Sequence, residues 1–230
     1  MTVLKLANVH VEIGRETLLN DINFEMSEGE SIALIGHNGA GKSTLMKTII
    51  GMQQKKEGTI HIHNRDQDID YLAYKKLFSY IPEEPFLLPE LTVMQHVQLY
   101  GKSYEMEESS LLTRAKEWLQ LFEIEDKMNE YPESLSKGMR QKVQTICALL
   151  PDVPLLLIDE PFVGLDVHAI TQLEEILIQK IRNGTSILLT THQLERLDRL
   201  ATSYVMLKKG LIIEQGDVQQ FKGLSRRMEE

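Results

Sequence analysis

The chain has 230 residues, 42% hydrophobic and 26% charged, proportions of an ordinary soluble globular protein with room for one domain or a domain carrying an inserted lobe. A net charge of −9 argues against a nucleic-acid binder, which would present a basic face, and the single cysteine, Cys147, excludes an internal disulfide and suits a reducing compartment. No apolar run approaches the roughly 20 residues of a membrane-spanning helix, and the alternating N-terminus lacks the apolar core of a secretory signal.

Along the first 35 residues, VLKLANVHVEI, INFEM and SIALI are strand-like and separated by turns at Gly14 and Gly29, which reads as a small sheet. Residues 36–44, GHNGAGKST, follow the strand ESIALI and open the helical stretch KSTLMKTII. They fit the phosphate-loop pattern in its strand–loop–helix setting, where successive backbone N–H groups and a helix N-terminus cradle anions. His37, Asn38, Gly39, Ala40, Gly41, Lys42, Ser43 and Thr44 are the binding candidates. Lys42 would reach the outer phosphates of ATP, and Ser43 would place its hydroxyl on a magnesium ion. GTIHIH (58–63) is a further alternating strand whose His61 and His63 share a face, but no third ligand lies near enough to argue for a metal. LFSYI (77–81) reads as a core strand closed by Pro82.

From about residue 92 to 150 the period changes. TVMQHVQLYG, LLTRAKEWLQLF and GMRQKVQTICALL carry apolar residues at spacings of three and four, so a helical lobe (85–150) is expected as an insertion between two core strands. Cys147 falls in the last of these and reads as an inert core thiol. The lysine pair 55–56 and the arginine pair 226–227 read as solvated surface. VPLLLI (153–158) is continuously apolar, as in a parallel sheet covered on both faces, and it delivers Asp159 and Glu160 at its end. AITQLEEILIQKI is an amphipathic helix, SILLTT a second buried strand, and SYVMLKKGLIIEQG a hairpin turning at Lys209-Gly210. Strand–helix units repeating around a phosphate loop indicate an α/β fold. Residues 1–84 and 151–217 would form the nucleotide-binding core with its β subdomain, and 218–230 a tail.

The order of these elements resembles the ATP-binding cassette (ABC) ATPases, the nucleotide-binding subunits of ABC transporters. LSKGM (135–139) is similar to the family's LSGGQ signature, EPFVGLD (160–166) to the catalytic acid and D-loop, and TTHQLE (190–195) to the switch-histidine region. The resemblance spans about residues 2 to 217 and implies a P-loop core with a parallel sheet, an N-terminal antiparallel β subdomain and an inserted helical subdomain. It implies that Asp159 and Ser43 hold magnesium, that Glu160 is the general base for the attacking water, and that His192 senses the terminal phosphate. It further implies that Ser136 and Gly138, at the start of a helix, face the γ-phosphate held by a second cassette, and that Asp166 crosses the same interface. An ordinary N-cap would account for Ser136 but not for Gly138.

Three departures stand out. The aromatic that usually stacks on adenine is replaced by Ile13, which forgoes about 1–3 kcal/mol of base stacking. The metal-touching glutamine is Glu83, and the signature carries Lys137, expected to face solvent, and Met139. Glu84, Phe86, Leu87 and Leu88, in a proline-bounded loop, are expected to receive a helix of a transmembrane permease subunit, with sealing of the helical lobe as the alternative for the leucines. The expected protein is thus an ATPase on the cytoplasmic side of the cell membrane, peripheral through that partner and paired with an identical or related cassette. Export of a peptide, antibiotic or lipid-like substrate is favoured over import. A soluble ABC-type factor acting on ribosome or DNA, and a P-loop kinase, are the other classes weighed.

Overall fold

A computed structural model describes residues 1–192 and 196–221, with the side chains of 220 and 221 left aside. In chain order it contains β1 (Thr2–Ile13), β2 (Glu16–Ser27), β3 (Ser31–Ile35), α1 (Lys42–Ile49), β4 (Glu57–Ile62), β5 (Arg65–Asp66), α2 (Tyr71–Lys75) and β6 (Phe78–Ile81). There follow α3 (Val93–Ser103), α4 (Glu108–Leu121), α5 (Lys137–Leu149), β7 (Leu155–Asp159), α6 (Val167–Arg182), β8 (Ser186–Thr190), α7 (Leu197–Leu200), β9 (Ser203–Lys208) and β10 (Leu211–Asp217).

These strands make two sheets. One is antiparallel, in the order β2-β1-β4-β5; the other has six strands, β10-β9-β3-β8-β7-β6, parallel throughout except at the β9–β10 hairpin. The expectation that SIALI belongs with the first strands in a small sheet is therefore corrected. Ser31–Ile35 lies inside the parallel sheet, between β8 and β9, and GTIHIH takes the place beside β1. The reason is burial: all five residues of β3 are covered, whereas β1 and β2 alternate between buried and exposed.

The two faces of the parallel sheet pack into different cores. Ala33 and Ile35 of β3, with Leu156 and Ile158 of β7, join the residues of α3, α4, α5 and α6. Ile32 and Leu34, with Leu155 and Leu157, join α1 and the antiparallel sheet. Period-two alternation is thus hidden in the sequence, because both sides of each strand are apolar. The three helices α3 to α5 fall in the chain between β6 and β7, which are adjacent parallel strands. Each has an N-terminal side-chain cap. Thr92 and Gln95 form a reciprocal capping box on α3, Glu107 accepts from Ser109 and Ser110 on α4, and Ser136 accepts from Met139 on α5. Cys147 is fully buried, and burial pushes its thiol up to about 12, so it is an inert core residue. His61 faces Asp66 and His63 faces Glu28, and among the described residues no cluster of three or more His, Cys, Asp or Glu could hold a metal.

Candidate functional site

The carboxyl ends of β3, β8 and β7 lie side by side, the place where open α/β sheets bind ligands. The phosphate loop leaves β3 there and runs into α1. Gly41 caps that helix with φ of 109°, and a side chain on it would meet Leu19 Cδ2 at 2.9 Å, so only glycine fits. No side chain caps α1 at Gly41 and no acid lies in its first turn, which leaves its first N–H groups open to an anionic ligand. Lys42 is buried and donates from Nζ to the carbonyl of Gly36 at 2.7 Å and of His37 at 3.3 Å. Burial lowers its pKa, opposed by the charges of Glu160, Asp159 and Glu83.

A cavity of about 620 Å³ opens over this loop, a volume suited to a small-molecule ligand. Asn38, Gly39, Ala40, Gly41, Lys42, Ser43, Thr44, Glu83, Asp159, Glu160 and His192 all line it. His37 stands apart, in a side cleft shared with Asn38 and His192. Ile13, at the end of β1, is 54% exposed and outside the lining, and so are Ser136, Gly138 and Asp166. Five lining residues were not anticipated: Glu16, Thr17 and Leu18 at the start of β2, and Lys209 and Gly210 in the β9–β10 turn. Gly210 donates to the Ala40 carbonyl at 2.9 Å, and its own carbonyl accepts from Asn20, so the hairpin is pinned against the phosphate loop. The only sequence signal for this was the turn itself, which says nothing of where a hairpin will dock.

The two acids at the end of β7 are held by one threonine. Thr190 Oγ1 donates to Asp159 Oδ1 at 2.6 Å and accepts from the Glu160 N–H at 2.9 Å. Glu160 has φ of 49°, an unusual conformation for a residue with a side chain, and the Thr190 contact helps hold it. Its Oε2 accepts from the His192 backbone N–H at 3.2 Å, and Oε1 stands 3.2 Å from His192 Nε2, within ion-pair reach but not aligned for a hydrogen bond. Burial raises the pKa of Glu160, and the neighbouring His192 works against that rise. Tyr80, on β6, has its pKa pushed up by burial and by the Asp159 charge. A raised carboxylate beside a lysine and a histidine, in a cavity over a helix N-terminus, can bind a polyphosphate and accept a proton from water. Residues 193–195 of the TTHQLE string lie outside the described residues.

The signature segment sits on the helical side. Ser136 is exposed, with Oγ accepting from the Met139 N–H at 3.2 Å. A Cβ on Gly138 would stand 2.7 Å from the carbonyl oxygen of Gly164. Lys142 pairs with Asp166 at 2.7 Å, while Asp166 also caps α6 through the Ala169 N–H, which lowers its pKa. The start of α5 and the loop from Pro161 to Asp166 are therefore one contact surface. Lys137 is exposed as expected, and it pairs with Glu84 at 2.7 Å.

The ABC transporter family profile matches residues 19–163, from β2 to three residues past Glu160. The chain belongs to the ABC transporter family. It is an ATP-binding cassette that hydrolyses ATP. The chain is 34% identical over 222 residues to the ABC-type transporter ATP-binding protein EcsA of Bacillus subtilis (strain 168), covering 96% of this chain and 90% of that protein. It is 32% identical over 213 residues to the Nod factor export ATP-binding protein I of Rhizobium leguminosarum bv. viciae, covering 93% and 68%. A solved ATP-binding subunit of an ABC transporter superimposes with a TM-score of 0.93 at 35% identity, covering 99% of this chain and all 100% of the other. The ATP-binding cassette MJ0796, solved as a dimer in a post-hydrolysis state with ADP and Pi, gives 0.83 at 27% identity, covering 94% and 98%.

Proposed function

We propose that this cassette powers an exporter, peripheral to the cytoplasmic side of the membrane and attached through a transmembrane permease. The observation that carries the attachment is Phe86, 78% exposed on a loop whose backbone is hydrogen-bonded to the helical lobe. The Phe86 N–H donates to Gln144 Oε1 at 3.1 Å, and the Leu88 N–H donates to His96 Nε2 at 2.9 Å. His96 Nδ1 donates in turn to the Thr92 carbonyl at 2.8 Å, so its ring is neutral, and burial lowers its pKa. An exposed aromatic on an ordered platform is what an interface anchor needs. Leu87 is half-buried against the helical core, which supports sealing of the lobe rather than docking for it, and Leu88 is the outward companion. Among the described residues no helix is long and apolar enough to cross a membrane. Exchanging Phe86 for Ser should abolish co-purification with the permease and leave ATP affinity unchanged; loss of both would indicate misfolding. Export, of a peptide, antibiotic or lipid-like substrate, draws its support from the Nod factor export relative.

Within the site, Lys42 and the N–H groups of Asn38 to Thr44 would hold the phosphates, Glu160 would orient and deprotonate water, and His192 would hold Glu160 and sense the γ-phosphate. Ser43, Asp159 and Glu83, all lining the cavity, offer hard oxygen donors, which fits magnesium, an ion that takes few protein ligands alongside phosphates. Bound there, it would neutralise charge between the outer phosphates. Ser136 and Gly138 would complete the site across the interface with a second cassette, of the same or a related chain, with Asp166 beside them. Tyrosine at position 13 should tighten ATP binding by about tenfold and sharpen preference over GTP, read by titration with both nucleotides. Unchanged affinity and preference would remove the adenine-side role of Ile13.

A further inference from the structure

The segment beyond His192 carries two arginines that the nucleotide cavity does not use. Arg196 and Arg199 both pair with Glu174 of α6, the second at 3.0 Å. The Glu174 side chain is 3% exposed. A carboxylate this deep is costly unless paired, and removing a partner leaves an uncompensated charge. Arg196 also makes a contact that Arg199 lacks. Its guanidinium carbon stands 5.2 Å from the centroid of the buried Phe162 ring. Only arginine joins a planar fork for a carboxylate to a weakly hydrated face that stacks on an aromatic ring.

Phe162 is two residues beyond Glu160, and Arg196 is four beyond His192. Four residues of chain span at most about 14 Å. One guanidinium, four residues past the histidine in the chain, therefore joins Phe162, in the loop leaving the acid, to Glu174 on α6. We infer that Arg196 is a positioning residue for hydrolysis, clamping Phe162 against Glu174 so that Glu160 and His192 stay in register. It touches no reacting atom and acts through those two side chains. The clamp also accounts for how Glu160 keeps its positive φ: Thr190 holds its amide on one side, and Phe162, in cation–π contact with Arg196, anchors the chain on the other.

The inference rests on Glu160 and His192 being the hydrolytic pair. Steady-state ATPase and ATP-binding measurements on the full chain test it. Arg196→Gln should lower kcat by about 10- to 100-fold, the scale of a small misplacement, with the Kd for ATP within about twofold. Arg196→Lys keeps a charge opposite Glu174 but loses the planar guanidinium over the Phe162 ring, and should lose most of kcat too. Arg199→Gln, which removes the more exposed partner, should keep it. In a His192→Ala background Arg196→Gln should cost little more, because the two act on one step. Wild-type kcat for Arg196→Gln, an equal loss for Arg199→Gln, or fully multiplicative losses with His192→Ala would overturn the clamp. Should Arg196→Gln not fold, Arg196→Lys and Phe162→Leu decide. A Glu160→Gln chain that hydrolyses normally removes the underlying assignment; a dead Glu160→Gln chain beside an active Arg196→Gln chain removes only the clamp.

Discussion

Glu160→Gln should reduce kcat by about 10²- to 10⁴-fold while ATP binding survives and an ATP-locked pair of cassettes accumulates. The amide is nearly isosteric, so its oxygen can still accept from the His192 N–H, and the backbone contact with Thr190 is untouched. What disappears is the capacity to take a proton. Single-turnover hydrolysis and size-exclusion of the ATP-bound chain read the two halves of the prediction. A rate near wild type would show that the carboxylate is not the base. The same residue sets a pH dependence. Burial raises the Glu160 pKa, with His192 opposing, and the active form of a base is the deprotonated one. As pH falls through that raised value the base should be protonated and kcat should drop, with the acid limb shifted upward from the ordinary glutamate value. The glutamine variant should lack that limb in its residual activity.

Gly138→Ala is the second large effect. A methyl there would lie 2.7 Å from the Gly164 carbonyl oxygen, a backbone atom, with no flexible side chain able to yield. The start of α5 and the loop leading to Asp166 must then part, stretching the Lys142–Asp166 pair. Both segments lie outside the cavity, so ATP affinity of a single chain should be preserved. Hydrolysis should fall by about 100-fold, as when one donor to a reacting oxyanion is removed. ATP-induced pairing should weaken with it, measured by sedimentation of the variant in a Glu160→Gln background. Retained turnover and pairing would mean that the Gly138 helix end takes no part in a shared site.

Some of these features are written in the sequence. The phosphate loop announces itself because glycine spacing, a lysine and a hydroxyl must occur together in one short stretch. The chain from Val153 to Ile158 reads as a strand because burial on both faces leaves no polar position. Helices α3 to α5 read as a lobe because each presents one apolar stripe. Other features left no local trace. Leu87 and Phe86 are adjacent and equally apolar, yet one packs inward and the other stands in solvent, since Gln144 and His96 set the direction of the loop. Ser31–Ile35 looked like a partner of the strands before it, and only its coverage on both faces assigned it to the parallel sheet.

What the sequence by itself determined is the α/β class, the phosphate loop and the two acids that end an apolar strand, because each is written in neighbouring residues. Only the tertiary structure decided that Thr190 joins those acids, that the Lys209–Gly210 turn lines the cavity, and that Arg196 meets Phe162 and Glu174. Those contacts join residues far apart in the chain, and their partners are chosen by how helices and sheets pack rather than by any local pattern.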